Sequence, residues 1–471
     1  MTQPLADTTM PLRPSFALRE FLRRFRDGRG VHAETQKMAV AAFAIRVISA
    51  ACLYLSQALL ARWLGGSEFG TYIYAWTWVM LIGDTVHLGL GHVAQRFIPR
   101  YEEAGASGHV LGFLRGSEIM VLVSSTLAAM IAGCAAGFSG RPDSFTLELA
   151  ALAIPAFAFS VLFDGISRCY NWVGLALLPA YVLRPLLITG LVAGLYAAGG
   201  ETGAAPAMIA TVAACWIAVF IQACLTHLRI GRRIVPGPRN YQLGTWVGAS
   251  LPTLLMWGFY MLLTSTDVIV LQYFRSSDDV AHYYAAAKTL AIVAFVNFAV
   301  SAAAGHRFSQ FHSTGDSGRL RALVRQCVQW TFWGSLAATL AILALGWPFL
   351  WLFGSEFVSA YPLMFVLALG LLARASIGPA ERVLSMCGHQ NSCAVIYATA
   401  FGLNVALCFM LAGPYGGMGV ASAISAAMLL ESALLYLASR RLLGISPFVF
   451  QRGSRQRSFV DSNPIVSTSP Q

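Results

Sequence analysis

The sequence predicts an all-α polytopic membrane protein: about twelve transmembrane helices in two six-helix bundles around a central cavity, with both termini cytoplasmic. Three observations carry that expectation. Apolar stretches long enough to cross a bilayer fill the chain from Met38 to Arg441, and about 20 such residues match a hydrocarbon core of roughly 30 Å. Of the 471 residues, 57% are hydrophobic and 11% charged, against about 25% charged in soluble domains. The basic residues collect in alternate gaps between the apolar stretches, as they do when loops alternate between the two faces of a membrane.

The spans read 38–62, 69–92, 110–138, 146–168, 176–199, 205–228, 244–272, 279–304, 322–352, 359–387, 392–413 and 416–440. Only helices and closed barrels satisfy their backbone in lipid, and these spans are too long for barrel strands. Ahead of them, residues 1–37 contain no apolar h-region and hence no cleavable signal. Leu18, Phe21, Leu22 and Phe25 follow helical spacing there, among Arg19, Arg23, Arg24 and Arg26. They read as a basic helix on the anionic inner leaflet or as a solvated basic tail. The gap 229–243 is basic, contains Pro236, Gly237 and Pro238, and divides the first bundle (38–228) from the second (244–441). Residues 442–471 read as a disordered cytoplasmic tail. Span 2 opens with Phe69-Gly70-Thr71-Tyr72-Ile73-Tyr74-Ala75 and span 8 with Val280-Ala281-His282-Tyr283-Tyr284-Ala285-Ala286. This weak internal repeat falls at equivalent places in the two halves, as expected of a duplicated transporter.

Orientation follows from the charges. With the N-terminus inside, the inner segments hold 23 basic residues, and the outer segments hold three, Arg62, Arg141 and Arg275. That asymmetry places both termini in the cytoplasm. It also accounts for the net charge of +11 without nucleic acid. The nine cysteines lie in or beside apolar spans, with no zinc-type spacing, and read as small buried hydrophobes. No P-loop, GxSxG or HExxH pattern occurs, and the outer gaps are too short for a catalytic domain. The expectation is a transporter without enzymatic activity, metal or cofactor.

Charges inside a bilayer are costly and mark cavities or partners. Arg46, Arg184, Lys288 and Arg374 lie well within spans. Together they form a candidate anion-holding belt, since guanidinium grips phosphate in a bidentate fork and Lys acts as a point charge. The alternative is that each pairs with an acid on a neighbouring helix. Asp84, His87, Asp267 and Glu381 are candidates for ion coupling or for that pairing, with Glu381 on the Arg374 face. Helical spacing groups Arg46, Ser49 and Gln57; Asp84, His87 and Gly91; and Arg374, Gly378, Glu381 and Ser385. Such polar stripes suit a water-filled cavity. His87 either titrates near neutral pH or is an ordinary hydrogen-bonded buried histidine. Gly378-Pro379 is expected to kink span 10.

Several stretches together resemble the Wzx-type polysaccharide flippases of the multidrug/oligosaccharidyl-lipid/polysaccharide exporter superfamily. They are Ala61-Arg62-Trp63-Leu64-Gly65-Gly66-Ser67-Glu68-Phe69-Gly70-Thr71-Tyr72, Leu88-Gly89-Leu90-Gly91 with Arg96-Phe97-Ile98, and Asp267 ahead of Tyr283-Tyr284-Ala285-Ala286. Leu352-Phe353-Gly354-Ser355-Glu356-Phe357, Gly378-Pro379-Ala380, Asn404 and Tyr415-Gly416-Gly417-Met418-Gly419-Val420-Ala421 complete the pattern. The resemblance implies a flippase of the bacterial cytoplasmic membrane. It would move a polyprenyl-pyrophosphate-linked oligosaccharide by alternating access, for O-antigen, exopolysaccharide or capsule synthesis. A proton or sodium gradient, or downstream removal of the glycan, would be the energy source, and the polysaccharide polymerase and chain-length machinery the partners beside membrane lipids. Two alternatives stand: a cation-coupled multidrug-and-toxin-type exporter, and a non-transporting scaffold for glycan assembly.

Overall fold

The computed structural model describes residues 31–200, 202–234 and 237–450. The amphipathic segment expected near Leu18 lies outside them, as does the side chain of Arg46. The first half contains α1 (Val31–Leu64), α2 (Gly66–Val86), α3 (Leu90–Glu103), α4 (Ser107–Gly137), α5 (Ser144–Ala151), α6 (Ile154–Cys169), α7 (Val173–Leu178), α8 (Arg184–Ala197) and α9 (Ala204–Gly231). The second contains α10 (Leu243–Phe274), α11 (Ser277–Ala291), α12 (Ala294–Ser313), α13 (Ser317–Ala344), α14 (Gly346–Trp351), α15 (Tyr361–Ser376), α16 (Ala380–Met386) and α17 (Gln390–Leu442). The described residues form no strand. Ten helical segments are long and apolar enough to cross a membrane. One of them, the 53-residue α17, crosses twice about non-helical Gly416 (φ 55°, ψ −135°), and α2 supplies one further pass. Twelve crossings result, in the predicted order.

The breaks obey the rule that backbone in lipid must stay hydrogen-bonded. At Gly416 the chain turns where a side chain would be strained. The carbonyls freed beside Pro414 are taken by the Arg275 guanidinium, at 3.4 Å from Ala412 O, 2.6 Å from Gly413 O and 3.3 Å from Pro414 O. One of the three outer arginines is thus a helix-end cap. Span 10 breaks between α15 and α16 at Gly378, as predicted. The Ser376 carbonyl there accepts from Val449 N at 3.1 Å, while Val449 O accepts from Gln329 Nε2 at 3.0 Å. The tail expected to be disordered from 442 is therefore structured as far as Phe450, with Ile445 and Val449 buried. It supplies partners that the broken helix lacks.

The two halves meet at the outer end along α2 and α11, where the repeated sequence stretches face each other. Thr71 Oγ1 donates to Ser277 Oγ at 3.1 Å, and the Phe69 and Tyr284 rings meet edge-on at 6.1 Å. Gly70 makes the closest approach: a Cβ there would lie 1.7 Å from the Ser277 carbonyl oxygen. Glu356, in the short helix before α15, accepts from Gly66 N at 3.0 Å. Glu68 accepts from Ala204 N at 2.7 Å, a carboxylate on the N-terminus of α9. The largest apolar core runs through both halves here, whereas two smaller cores lie in the second half alone.

At the inner face the linker is stitched to the first half. Asn240 N donates to Gly108 O at 2.9 Å. Trp246, fully buried, sits edge-on to Phe113 at 5.0 Å and donates to Tyr101 OH at 3.0 Å. Tyr101 in turn donates to Gln242 Oε1 at 2.9 Å. The linker divides the sequence repeats, but the first turns of α10 pack with the first bundle.

Two predictions follow from this geometry, both made in a background lacking the native cysteines. Cysteines replacing Ser67 or Val358 should react with an impermeant maleimide from outside intact cells, and one replacing Arg239 only after permeabilisation. Val280→Cys, fully buried, should react from outside faster when Gly70→Val is added, because valine cannot occupy the contact with Ser277. Unchanged reactivity would show that the outer end closes elsewhere.

Candidate functional site

Arg184 opens α8 directly after a single turn of π-helix, Pro179–Leu183. Pro185 has no N–H to give, and the wider turn lets Arg184 N reach Pro179 O. Such insertions recur at functional positions. The half-buried guanidinium lies 5.3 Å from the ring centroids of both Trp76 and Phe157. It makes no ion pair or hydrogen bond to any described residue, so its donors remain available beside two aromatic faces.

Lys288 lies in α11 with Nζ 4.9 Å from the Tyr284 ring. Asp267 on α10 is within its electrostatic reach. That carboxylate, itself buried, accepts from Tyr283 OH and from Val268 N. The two tyrosines of the repeat are thereby divided between an acid and a base: Tyr283 holds Asp267 and Tyr284 underlies Lys288.

Arg374 is compensated. Its Nε lies 3.3 Å from Oε1 of Glu431, which is fully buried. Its other nitrogens donate to Tyr260 OH at 3.5 Å and Tyr397 OH at 3.4 Å, and the guanidinium lies over the Tyr260 ring at 5.1 Å. Glu381 is close enough to interact electrostatically, yet it is not the partner in contact. The helix break at Gly378 separates the two residues and ends the continuous face that spacing implied. Span 2 shows the same effect. Leu88 (φ 56°) and Gly89 (φ 68°) break the helix, so Gly91 leaves the Asp84–His87 stripe. Its carbonyl instead approaches Gly165, where a Cβ would lie 2.0 Å away.

His87 is 2% exposed, and neither ring nitrogen is hydrogen-bonded by a described residue. The Asp84 backbone nonetheless acts on the ring. That ring lies 6.0 Å from that of His92, which in turn lies 5.6 Å from Trp257 of the second half. His92 feels two arginines, Arg168 from α6 and Arg382 from α16. Arg168 is paired with Asp164 at 2.9 Å, whereas Arg382 is exposed. Basic residues from both halves therefore flank His92.

Tyr284 interacts electrostatically with Tyr72, which senses Arg184. Tyr260 lies near both Lys288 and Arg374. Each of the three described cations has its own aromatic neighbours, and no contact joins them directly. Four residues went unnoticed in the sequence: Glu431, Glu118, His92 and Arg382. The first two carried a readable signal, being isolated carboxylates inside long apolar runs.

Comparison with known proteins matches the sequence to the polysaccharide biosynthesis protein family over residues 39–312. The chain belongs to that family. Residues 252–410 also match the MatE family. No curated protein matches. Among solved structures, the fold is similar to a lipid II flippase, MurJ, in an inward closed conformation, at 14% identity and a TM-score of 0.65, covering 85% of this chain and 87% of that one. It is similar to an inward-facing multidrug resistance MATE transporter at 13% identity and 0.66, covering 86% and 98%. A transporter of the same superfamily from Pyrococcus furiosus, described as having a binding pocket of reversed polarity, matches at 14% identity and 0.65, covering 87% and 96%. The family member is thus a multi-pass membrane protein with the transporter fold of this superfamily.

The Arg374–Glu431 contact makes a prediction. Arg374→Ala leaves a buried carboxylate unpaired, which costs about 3–5 kcal/mol, and should lower the amount of folded protein in membranes. Adding Glu431→Gln should restore the amount, and adding Glu381→Gln should not. Restoration by Glu381→Gln alone would reassign the partner.

Proposed function

We propose that the protein flips a polyprenyl-pyrophosphate-linked oligosaccharide from the inner to the outer leaflet for surface polysaccharide synthesis. The observation that carries this reading is Arg184: an intramembrane guanidinium with no described carboxylate in contact, held between Trp76 and Phe157. Its unused donors suit pyrophosphate oxygens, and aromatic faces suit the apolar side of a sugar ring. Arg382 and Arg168, contributed by opposite halves, would attract the anionic head group to the cleft.

In this mechanism the outer end is sealed along Gly70–Ser277 while the head group enters from the inner leaflet, its polyprenyl tail remaining in lipid. Rocking of the two bundles then transfers closure from the outer to the inner end. Lys288 with Asp267, and Arg374 shared by Glu431 and Glu381, provide buried acids on which a proton or sodium ion would act, so that a gradient drives the return. The place of action is the bacterial cytoplasmic membrane, beside the polymerase that consumes the flipped unit.

Deletion should leave lipid-linked repeat units on the cytoplasmic side, reduce surface glycan and leave susceptibility to cationic drugs unchanged. Arg184→Ala should cut flipping about tenfold or more at unchanged protein level, since a hydrogen bond to a charged group is worth about 1.5–3 kcal/mol. Arg184→Lys should recover only part of it, keeping charge and losing the fork. The MatE match over 252–410 supports a second reading, cation-coupled drug export. Sensitisation to cationic drugs with intact surface glycan would select it.

A further inference from the structure

At the outer seal, carboxylates from two separate elements of the second half close on the start of α2. α11 is capped by Ser276, whose Oγ accepts from Asp279 N at 3.3 Å, so Asp279 belongs to the cap of its own helix. Asp278 instead faces the first half: a Cβ on Gly66, the first residue of α2, would fall 2.0 Å from its Oδ1. Glu356 reaches the same residue from the short helix Glu356–Ala360, accepting from Gly66 N. The N-terminus of a helix favours negative charge, so this pair of acids suits the place it clasps.

His282, one turn beyond Asp278, joins the two elements that carry those acids. Its Nδ1 lies 2.7 Å from the Asp278 carbonyl oxygen and 3.4 Å from the Asp278 carboxylate. Its Nε2 lies 3.1 Å from the Glu356 carbonyl oxygen. Carbonyl oxygens accept and never donate. A neutral imidazole has one N–H and would turn a lone pair on the second oxygen, whereas the imidazolium has two N–H groups and satisfies both. The ring also stacks on Phe357, with centroids 5.0 Å apart, and a cation is attracted to an aromatic face. The remaining charged groups of this end are engaged elsewhere. Glu68 accepts from Ala204 N, Arg275 caps α17, and Arg62 lies 4.6 Å from the Trp351 ring centroid. The ionic neighbour in contact with His282 is therefore an acid, Asp278.

We infer that His282 is a proton-operated latch of the outer gate: protonated from the outer aqueous phase, it ties α11 to the helix Glu356–Ala360 and keeps both acids closed on α2. When the two elements part, the Glu356 carbonyl is lost and one N–H suffices. Acid outside therefore favours the shut state, and by linkage opening releases the proton to the side from which it came. Histidine suits the task because its charge changes between about pH 5 and 8. The latch proton does not cross the membrane. It senses the outer medium, separately from any coupling at Asp267 or Glu431, and its action does not depend on which substrate is moved.

The test uses the full chain in intact cells, in the background without native cysteines, with only the outer pH varied, between about 5.5 and about 8. Labelling of Val280→Cys by the impermeant maleimide is divided by that of exposed Ser67→Cys, which cancels the effect of pH on the thiol itself. Histidines nearer the cytoplasm do not experience the change. The ratio should rise roughly fivefold from the lower to the higher pH, as expected when a hydrogen bond to a charged group is lost. In His282→Gln, which has no proton to gain, the ratio should be high at both. A wild-type ratio that is constant, or that falls as the outer pH rises, would overturn the inference. So would an undiminished pH response in His282→Gln. The wild-type profile decides the matter even where a substituted chain fails to reach the membrane.

Discussion

Backbone groups and charges shielded from bulk water must find their partners within the protein, and the breaks of this fold are each met by one. The reversal in α17 exists because Arg275 reaches across to its carbonyls. The break in span 10 exists because residues 445–449 return to meet Ser376. The approach of α2 and α11 to backbone contact needs Gly70, and it removes an aqueous path at the outer end by filling it with protein. The same constraint sorts the charges into two groups. Glu431 and Asp267 are sealed and held by Arg374 and Tyr283, whereas Arg184 is half-buried between aromatic faces, with no counter-ion among the described residues.

That sorting changes which residues deserve a functional role. Arg374 occupies the best position by depth, but its charge is consumed within its own half. Arg184 is less conspicuous in the sequence, yet the wider turn before it and the absence of a described counter-ion make it the better group to meet a ligand. In the proposed function Arg184 and Arg382 belong to different halves, so affinity for the head group would change whenever the halves move relative to one another.

Much of the fold was legible because its period and its punctuation are strong. Twelve apolar runs, alternating basic gaps and a Pro-Gly-Pro linker left little freedom in topology, and Gly378-Pro379 announced its own break. The site was less legible. The polar stripes assumed unbroken helices, and the breaks at Leu88–Gly89 and Gly378 rotated the later members away. Nothing local in the sequence says that residue 431 faces residue 374, since that contact joins spans far apart in the chain. The surroundings of the His87 ring could not be foreseen either, because they are partly contributed by other helices.

The placement of Trp246 bears on how the molecule is assembled. The duplicated sequence suggests two units that fold separately and then dock. Yet the first unit completes its interior only when a residue from beyond the linker fills the space beside Phe113 and donates to Tyr101. A ribosome that has released only the first six spans has therefore delivered an unfinished bundle, with a tryptophan-sized gap at its cytoplasmic edge. Maturation of the first half must wait for the seventh span to emerge, which couples the order of synthesis to the joining of the two halves.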